Sequence, residues 1–299
     1  MTALSARPSI SPEQKICCRQ IVGADVPAVA ALLARGFPSR SRQFWEHGLH
    51  QLGRLEPPPG LPQYGYLLES KGRVVGTLLL IFSKMRAGAE FMTRCNVSSW
   101  YVEPAFRAYA PLLTLRAHAK KDVTYLNVSA HPDTHPIIEA QGFSCYCDGK
   151  FVAIPLLQGL FGGSDGVQVF DASVRPTVGF DPFEQEILLQ HAKLGCISLW
   201  CATSERAYPF VFRPRSIKKI IPGVQLIYCR DTGDFVRFAR PLGRALARRG
   251  TAFVVIDANG PIAGLSGVFR PGNEPKYYRG PQRPRLGDLA YTECAVLGV

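Results

Sequence analysis

Apolar positions in the first half of the chain follow two periods in turn, one typical of helices and one typical of strands. After Asp25 they recur every three or four residues, which predicts an amphipathic helix with Asp25 as its N-cap. A second helix is predicted over residues 41–52. Residues 64–82 predict a hairpin with its turn at residues 69–72, and the many Leu, Val and Ile residues of its second strand predict burial on both faces. The apolar stripe of the first helix consists of Val26, Val29, Leu32 and Leu33.

Residues 95–143 carry the most informative pattern of the chain. A strand over residues 95–103 leads into a loop with Arg107, a helix follows at once, and a strand over residues 123–129 leads into a second helix. Backbone N–H groups at a helix N-terminus favour an anion, typically a phosphate. Together with a closing strand, the predicted order across residues 16–156 is β-α-α-β-β-β-α-β-α-β.

The second half of the chain repeats this order weakly. A helix over residues 182–194 precedes a pair of strands, and a further strand is followed by a helix over residues 234–250, with Asp234 as its N-cap, and by a strand over residues 251–258. The repetition favours two related lobes, and two unrelated α/β lobes are the alternative. Residues 276–293 are rich in Tyr and Arg and are predicted to form a loop across a cleft, where they either contact a substrate or brace the lobes.

Charge and cysteine content narrow the functional classes. The 299 residues carry a formal net charge of +12, which favours anionic partners such as phosphate-bearing small molecules, nucleic acid or a membrane surface. The positive residues lack the interleaved aromatic residues of a single-strand binder, so nucleic-acid binding is the least favoured class. No apolar run is long enough for a membrane span, and nine scattered cysteines without a signal-peptide core predict reduced thiols in a cytoplasmic protein. The two basic groups are Arg213, Arg215 and Lys218–Lys219, and Arg244 with Arg248–Arg249.

Two motifs within this chain resemble those of one known family. The stretch Arg107-Ala108-Tyr109-Ala110-Pro111-Leu112 lies over a pyrophosphate loop of the form Q/R-x-x-G-x-G/A. Residues 131–143 lie over the pattern N-x-x-A-x-x-x-Y-E-x-x-G-F and match it at Glu139, Gly142 and Phe143. Gly142 and Phe143 also fit a helix C-cap followed by a buried anchor. On these motifs the chain resembles the GNAT-type N-acyltransferases.

The resemblance implies an α/β (α+β) fold. It consists of two GNAT-like lobes, each a mixed twisted sheet flanked by helices, and the second lobe is degenerate at its phosphate loop. The implied organisation is a disordered arm over residues 1–15, an acyl-CoA-binding lobe over residues 16–157, a linker over residues 158–180 and the second lobe over residues 181–299.

The resemblance also implies acetyl-CoA or another acyl-CoA as co-substrate. Arg107 matches the first position of the phosphate loop, whereas Ala110 and Leu112 replace the small residues that let the backbone approach the phosphates. The implied cofactor-binding residues are Tyr101, Val102, Arg107, Ala108, Tyr109, Ala110 and Leu112.

Two residues are candidates for the group that accepts the amine proton. Glu103 ends the strand that precedes the loop. Its carboxylate is either the group that accepts the proton or an exposed side chain of the loop. His131 would lie near the implied thioester, and histidine is the residue type that ordinarily titrates closest to neutrality. Ile138 stands where family members carry a Tyr that reprotonates the thiolate, and it has no proton to give. His131 and His135 have the spacing of a metal pair, but prolines interrupt the helix and no third ligand is evident, so no metal site is predicted.

These features predict an acyl-CoA-dependent N-acyltransferase in which an amine attacks the thioester directly. The acceptor is either a small-molecule amine or a protein amine, and the sequence is compatible with a homodimer. The missing Gly and Tyr residues favour the alternative of a catalytically inactive GNAT-fold protein for ligand binding or scaffolding. Charge alone supports a third class, a basic nucleic-acid-associated protein.

Overall fold

Twelve strands of the described part of the chain form one mixed sheet with helices packed against it, which confirms the predicted α/β class. The predicted N-terminal arm, residues 158–165 of the predicted linker and Lys218–Lys219 lie outside the residues that can be described. Within the described part of the chain, no helix is both long enough and apolar enough to cross a membrane. The computed structural model describes residues 16–88, 90–157, 166–177, 179–217 and 221–298.

The elements alternate along the chain as the sequence predicts. The strands are β1 Ile16–Gln20, β2 Gly65–Ser70, β3 Arg73–Ala87, β4 Glu90–Val102, β5 Thr124–Asn127, β6 Ser144–Ala153, β7 Gln168–Asp171, β8 Ile197–Ala202, β9 Ala207–Ile217, β10 Ile221–Cys229, β11 Phe253–Ala258 and β12 Gly267–Arg279. The α-helices are α1 Val26–Gly36, α2 Arg42–Gly53, α3 Ala110–Ala117, α4 His135–Ala140, α5 Pro182–Lys193, α6 Thr232–Arg237, α7 Ala239–Ala247 and α8 Glu293–Val296.

The order of the strands has the same pattern when it is followed from either edge of the sheet. The order is β1-β2-β3-β4-β5-β12-β6-β11-β10-β9-β8-β7, so that β1 to β6 and β7 to β12 occupy corresponding places. Among the described strands, only β4 with β5 and β10 with β11 pair in parallel, again at corresponding places, and the other neighbours are antiparallel. This equivalence accords with the weak repeat in the sequence.

The two halves exchange their last strands at the centre of the sheet. The first-half strand β6 pairs with β11, and the second-half strand β12 pairs with β5. β6 and β12 also pair with each other. The sheet is therefore continuous across the predicted boundary at residues 158–180, and the division into two lobes there stays a prediction.

The first predicted helices and hairpin are confirmed. The stripe of α1 is buried, and the Ser41 hydroxyl oxygen caps α2 by accepting a hydrogen bond from the Phe44 N–H at 3.1 Å. β2 and β3 form the predicted hairpin, with Lys71 and Gly72 both at positive φ in its turn. Residues 74–82 of β3 are all buried, as expected for a strand covered on both faces.

One predicted helix differs in its beginning and in its continuity. Its N-cap is Asp231 rather than Asp234, because the Asp231 carboxylate accepts the Gly233 N–H at 2.5 Å. The helix then divides at Phe238 into α6 and α7. Pro241 follows three residues later and has no N–H to bond to the preceding turn, which accounts for a break at this point.

A network of buried charges lies where the two halves exchange strands. The Lys276 ammonium on β12 is 2.9 Å from an Asp257 carboxylate oxygen on β11. The Glu274 carboxylate is paired with Lys150 and with Arg215, whose guanidinium is 2.5 Å away. Although burial works in the opposite direction, these two cations hold the pKa of Glu274 at about 2. The exchanged strands are thus joined by ion pairs as well as by backbone hydrogen bonds.

Candidate functional site

The parallel strands β4 and β5 diverge soon after they meet, which produces a fork in the sheet. They pair at only three positions, the last of which joins Asn96 to Leu126. Beyond that pair β4 continues to Val102, whereas β5 ends at Asn127. The Asn96 side-chain amide sits in the fork and donates hydrogen bonds to the Leu126 carbonyl at 3.2 Å and the Val97 carbonyl at 3.1 Å.

β4 contains a bulge just beyond the fork. Its pairing with β3 shifts register there, so that Ser99 and Trp100 together oppose Leu78. Ser99 has φ of +51°, an uncommon conformation for a residue other than glycine. A bulge leaves the extra residue outside the ladder and re-aims backbone groups. Backbone strain of this kind is frequent at binding sites.

A cavity of about 440 Å³ lies in the fork. β4 and the segment after β5 face each other across it, and α3 and α4 contribute Thr114 and Ile138. The aromatic side chains of Phe37, Trp45, Trp100 and Phe143 give it a largely apolar wall. The side chain of Arg40 is at the same cavity, and its guanidinium lies over the Phe44 ring at 4.7 Å.

Three buried polar atoms of cavity-lining side chains have no hydrogen-bond partner among the described residues. They are the indole nitrogens of Trp45 and Trp100 and the Nε2 atom of His118. Burial lowers the pKa of His118 to about 4, so the ring is neutral at physiological pH. Buried polar groups are normally paired. These atoms are therefore candidates for contact with water or a ligand.

Glu293, the first residue of α8, lies at the floor of the cavity. Its backbone N–H donates to the Asn96 side-chain oxygen at 2.5 Å. Its carboxylate accepts hydrogen bonds from the Ser98 hydroxyl on β4 and, at 2.7 Å, from the Ser129 hydroxyl after β5. Burial raises the pKa of Glu293, although the hydrogen bonds from the two serines act in the opposite direction. The residue thus connects both arms of the fork.

The segment that leads into α8, together with α8 itself, is anchored in both halves of the molecule. The Arg94 guanidinium on β4 lies 3.2 Å from the Asp288 carboxylate and donates to the Ala290 carbonyl at 2.5 Å. In the second half, Arg213 on β9 donates to the Ala295 carbonyl at 2.6 Å. These contacts fix the direction in which the chain enters the fork.

His191 on α5 provides another anchor. Its Nε2 atom accepts the Tyr291 backbone N–H at 3.0 Å, so Nδ1 carries the proton and donates to the Ile187 carbonyl at 2.8 Å. Burial lowers the pKa of His191 to about 4, in agreement with a neutral ring. The imidazole therefore holds the segment only in its neutral form.

The corresponding fork of the second half is closed by the same segment. Between β10 and β11, the Cys229 N–H donates to the Gly287 carbonyl at 2.9 Å, and the Leu289 N–H donates to the Ile227 carbonyl at 2.7 Å. Residues 287–289 thus pair with the end of β10, where the first half has its cavity. The fork in the first half is therefore the better candidate for a ligand site.

The two predicted catalytic residues have different positions. His131 lines the cavity, and its imidazole lies beside the exposed Asp133 carboxylate at 3.4 Å. Glu103 follows the end of β4 outside the cavity lining, and its half-buried carboxylate pairs with Arg35 and Arg73, both at 2.9 Å. The catalytic role of either residue stays a prediction.

The predicted cofactor-binding residues lie beside the cavity, and none of the seven lines it. Tyr101 packs on Phe37 with ring centroids 6.2 Å apart, and Val102 is buried on the opposite face. The other five occupy a 3₁₀ turn, Pro104–Tyr109, and the first turn of α3. Within that turn the Ala110 N–H already donates to the Arg107 carbonyl. The assignment of these residues to a cofactor stays a prediction.

The exposure of the loop residues is relevant to their assignment to a cofactor. Arg107 and Ala108 are exposed at the surface, and Tyr109 is half-buried. The side chain of Leu112 is 38% exposed, and its carbonyl lies 3.8 Å from the Cys18 sulfur. Since the larger residues Ala110 and Leu112 are accommodated without positive φ, the loop forms a helical turn in place of a glycine-rich one.

Sequence reasoning missed several residues of the site. Glu293, Trp100 and His118 carry no motif, and only the predicted loop over residues 276–293 pointed towards the first of them. The structure corrects that prediction in part, because Lys276 to Arg279 belong to β12 and only the end of the stretch reaches the cavity.

Comparison with known proteins gives the fold. No protein-family model matches the chain, and no curated protein matches it in sequence. Among solved structures, a GCN5-related N-acetyltransferase from Anabaena variabilis ATCC 29413 is 12% identical, with a TM-score of 0.55 over 89% of this chain and 72% of that chain. The GCN5-related N-acetyltransferase from Kribbella flavida is 12% identical, with a TM-score of 0.55 over 91% and 72%. Eis1 from Mycobacterium abscessus is 11% identical, with a TM-score of 0.51 over 89% and 73%.

These likenesses span most of the chain at identities too low to carry an activity or a residue's role. The chain therefore has the fold of the GCN5-related N-acetyltransferases, as the motifs in residues 95–143 predict.

Proposed function

We propose that the chain is an acyl-CoA-dependent N-acyltransferase that uses the fork between β4 and β5. The observation that carries this proposal is the open cavity of about 440 Å³ at the divergence of the two strands, next to the bulge at Ser99. The corresponding fork of the second half is filled by the chain itself. One cleft of the pair is thus kept open, which is what a binding site requires.

The acyl-CoA would enter between the two arms of the fork. Its pantetheine would run along the free edge of β4, and a backbone N–H released by the bulge at Ser99 and Trp100 would polarise the thioester carbonyl. Its phosphates would lie near the 3₁₀ turn before α3, where the exposed Arg107 supplies positive charge. We propose acetyl-CoA as the simplest member of this class and a primary amine, on a small molecule or a protein, as the acceptor.

The walls of the cavity constrain the proton transfers. Ile138 lies on the wall and offers no hydroxyl, so the leaving thiolate takes its proton from another group or from water. His131 at the cavity is a candidate for this exchange. Glu103 is held by two arginines outside the cavity, which favours a structural role at the end of β4.

Titration calorimetry with acetyl-CoA tests the proposal directly. We expect saturable binding to the full chain and at least about tenfold weaker binding to Ala130→Trp, whose indole would fill part of the cavity. Ala119→Trp is the matched control, because Ala119 is exposed and does not line the cavity. Absence of binding at millimolar acetyl-CoA, or equal affinities for wild type and Ala130→Trp, would contradict the proposed site.

A second candidate function is ligand binding without turnover. The apolar Ile138 in the wall and the helical turn in place of a glycine-rich phosphate loop favour it. It predicts acetyl-CoA binding with no transfer to any amine, so thiol release in the presence of amines separates it from the enzyme. The third class, nucleic-acid association, has no support from Arg213 and Arg215, because both are engaged within the protein.

A further inference from the structure

We propose that Glu293 is the catalytic base of this acyl transfer and takes the proton of the acceptor amine at the floor of the fork. The inference rests on the proposed N-acyltransferase function and adds to it a residue supplied by the second half of the chain. It differs from the candidates Glu103 and His131, since neither of them is buried in the fork.

The position of the carboxylate is the first argument. Glu293 lines the cavity and is only 2% exposed, while Ser129, whose hydroxyl it binds at 2.7 Å, is exposed at the open side of the fork. One carboxylate oxygen faces β4 through Ser98, and the other faces the end of β5 through Ser129. A thioester that lies between the two arms would therefore have this carboxylate beneath its carbonyl.

The held geometry is the second argument. The two serine hydroxyls hold the carboxylate, and the bond from the Glu293 N–H to the Asn96 side-chain oxygen holds the backbone, so three hydrogen bonds from different parts of the fork position the residue. A catalytic group that is already positioned avoids the entropic cost of being ordered during the reaction. An ionised carboxylate has about four acceptor sites, so two serines leave capacity for an ammonium or amine proton.

The electrostatic surroundings are the third argument. Burial favours the protonated form, whereas Lys276 and the two serine hydroxyls favour the ionised form. This balance moves the pKa of Glu293 upwards, towards the range that suits a general base at physiological pH. Among the described residues that line the cavity, there is no second carboxylate to compete for the ammonium. The titratable and charged groups around Glu293 are Lys276 on β12, Cys294 on α8, and the cavity-lining Arg40, His118 and His131.

The proposed step balances without a further reactant. The amine nitrogen forms a bond to the thioester carbonyl carbon, the C–S bond breaks, and the electron pair leaves with the CoA thiolate. The proton released by the nitrogen passes to the Glu293 carboxylate and from there, directly or through water, to the thiolate. Glu293 would thus both accept and return the proton, which accounts for an active site without the Tyr that Ile138 replaces.

Glu293→Gln in the full chain tests this role, because glutamine keeps the shape and can still accept a hydrogen bond. The assay follows thiol release from acetyl-CoA with methylamine, 2-phenylethylamine or a lysine-containing peptide as acceptor. We expect kcat to fall by at least about 100-fold, with acetyl-CoA affinity and Tm unchanged. The acidic limb of the wild-type pH profile should disappear.

Ser129→Ala is a second test of the role of Glu293, and it leaves the carboxylate in place. Loss of one hydrogen bond to the ionised form should raise the pKa of Glu293 and move the acidic limb of kcat to higher pH. If Glu293 only held the two arms of the fork together, the acidic limb of kcat would not move. Ser173→Ala is the matched control, since Ser173 is also an exposed serine but does not line the cavity.

The outcomes are distinguishable. Wild-type kcat and pH profile in Glu293→Gln would overturn the inference and leave the proposed function intact, as would loss of acetyl-CoA binding in Glu293→Gln at unchanged Tm. If Glu293→Gln does not fold, an unshifted profile in Ser129→Ala overturns the inference. Wild type that transfers to none of the three amines would instead remove the proposed function, and with it this inference.

Discussion

The carboxylate of Glu293 accepts a 2.7 Å hydrogen bond from the Ser129 hydroxyl, although 164 positions separate the two residues in the chain. Ser129 follows β5 in the first half, and Glu293 begins α8 after the last strand of the second half. The contact forms only when the C-terminal segment crosses from one half to the other. Residues that anchor this segment should therefore influence both the stability of the fold and the cavity.

The ion pair of Arg94 with Asp288 is the clearest such anchor. Arg94→Met would leave the buried Asp288 carboxylate with Arg285, at 3.4 Å, as its remaining ion-pair partner among the described residues, and we expect the free energy of unfolding to fall by about 3–5 kcal/mol. Guanidinium denaturation measures the change. The double variant Arg94→Met/Asp288→Asn should recover part of the loss, because the buried carboxylate charge of Asp288 is then removed as well.

A surface ion pair serves as the control for that experiment. Arg86 pairs with Asp181 at an exposed position, so Arg86→Met should cost no more than about 1 kcal/mol. If Arg86→Met and Arg94→Met lowered the free energy of unfolding equally, the ion pair that anchors the C-terminal segment would contribute no more than a surface ion pair.

His191 predicts a loss of stability in mild acid. Its pKa lies at about 4 in the folded protein against 6.5 for the ordinary side chain, so the unfolded chain binds the proton more readily. Stability should therefore fall as pH decreases from 6.5 towards 4, by up to about 3 kcal/mol from this group. Urea denaturation of wild type and His191→Gln across this range measures the difference.

In His191→Gln, the side-chain oxygen can still accept the Tyr291 N–H but cannot be protonated. The variant should therefore lose less stability than wild type on acidification, whereas His50→Gln, at an exposed site, should follow wild type. Parallel pH curves for wild type and His191→Gln would contradict a neutral, proton-excluding imidazole at this position. The pKa of His118 is also about 4, but His118 is present in wild type and in both variants, so it does not contribute to the difference between their pH curves.

The positive φ of Ser99 predicts an unusual response to substitution. Ser99→Gly removes the steric cost of the left-handed conformation, of about 1–2 kcal/mol, and should be neutral or stabilising. Ser99→Val should be destabilising, because a β-branched side chain is disfavoured there. Thermal unfolding of the two variants should rank glycine above valine, and the reverse order would argue against the bulge.

Arg107 predicts an effect on cofactor affinity without an effect on stability. If its guanidinium contacts the phosphates of acetyl-CoA, Arg107→Ala should weaken binding by about tenfold and reduce the salt dependence of the affinity. Arg116→Ala is the control, because Arg116 is also exposed and lies on α3. Equal affinities for wild type and Arg107→Ala would remove Arg107 from the proposed site.

Local elements of the first half were predictable because short-range physics decides them. The stripe that begins at Val26 dictates α1, Ser41 caps α2, and the turn at residues 69–72 closes the hairpin. Gly142 ends α4 at φ of +85°, and Phe143 follows it into the core, as the motif predicts. In the second half, the predicted N-cap Asp234 is wrong, because Asp231, three residues earlier, is equally suited to a cap and occupies that position.

The site was less predictable than the fold. His131 was identified and lines the cavity, whereas Glu103 is paired with arginines that are 68 and 30 residues away from it in sequence. No local signal distinguishes Glu293 from any other carboxylate in the chain. Its burial and its two serine partners follow from contacts across most of the chain length.

The sequence by itself determined the alternation of strands and helices, the resemblance in residues 95–143 and thereby the fold, because side-chain periodicity and capping act within a few residues. Only the tertiary structure decided that β6 and β12 change places, that one fork is open and its counterpart closed, and that Glu293 enters the open one. These outcomes depend on which distant surfaces can be buried against each other and which charges must be paired. These long-range contacts are decided only when the whole chain folds.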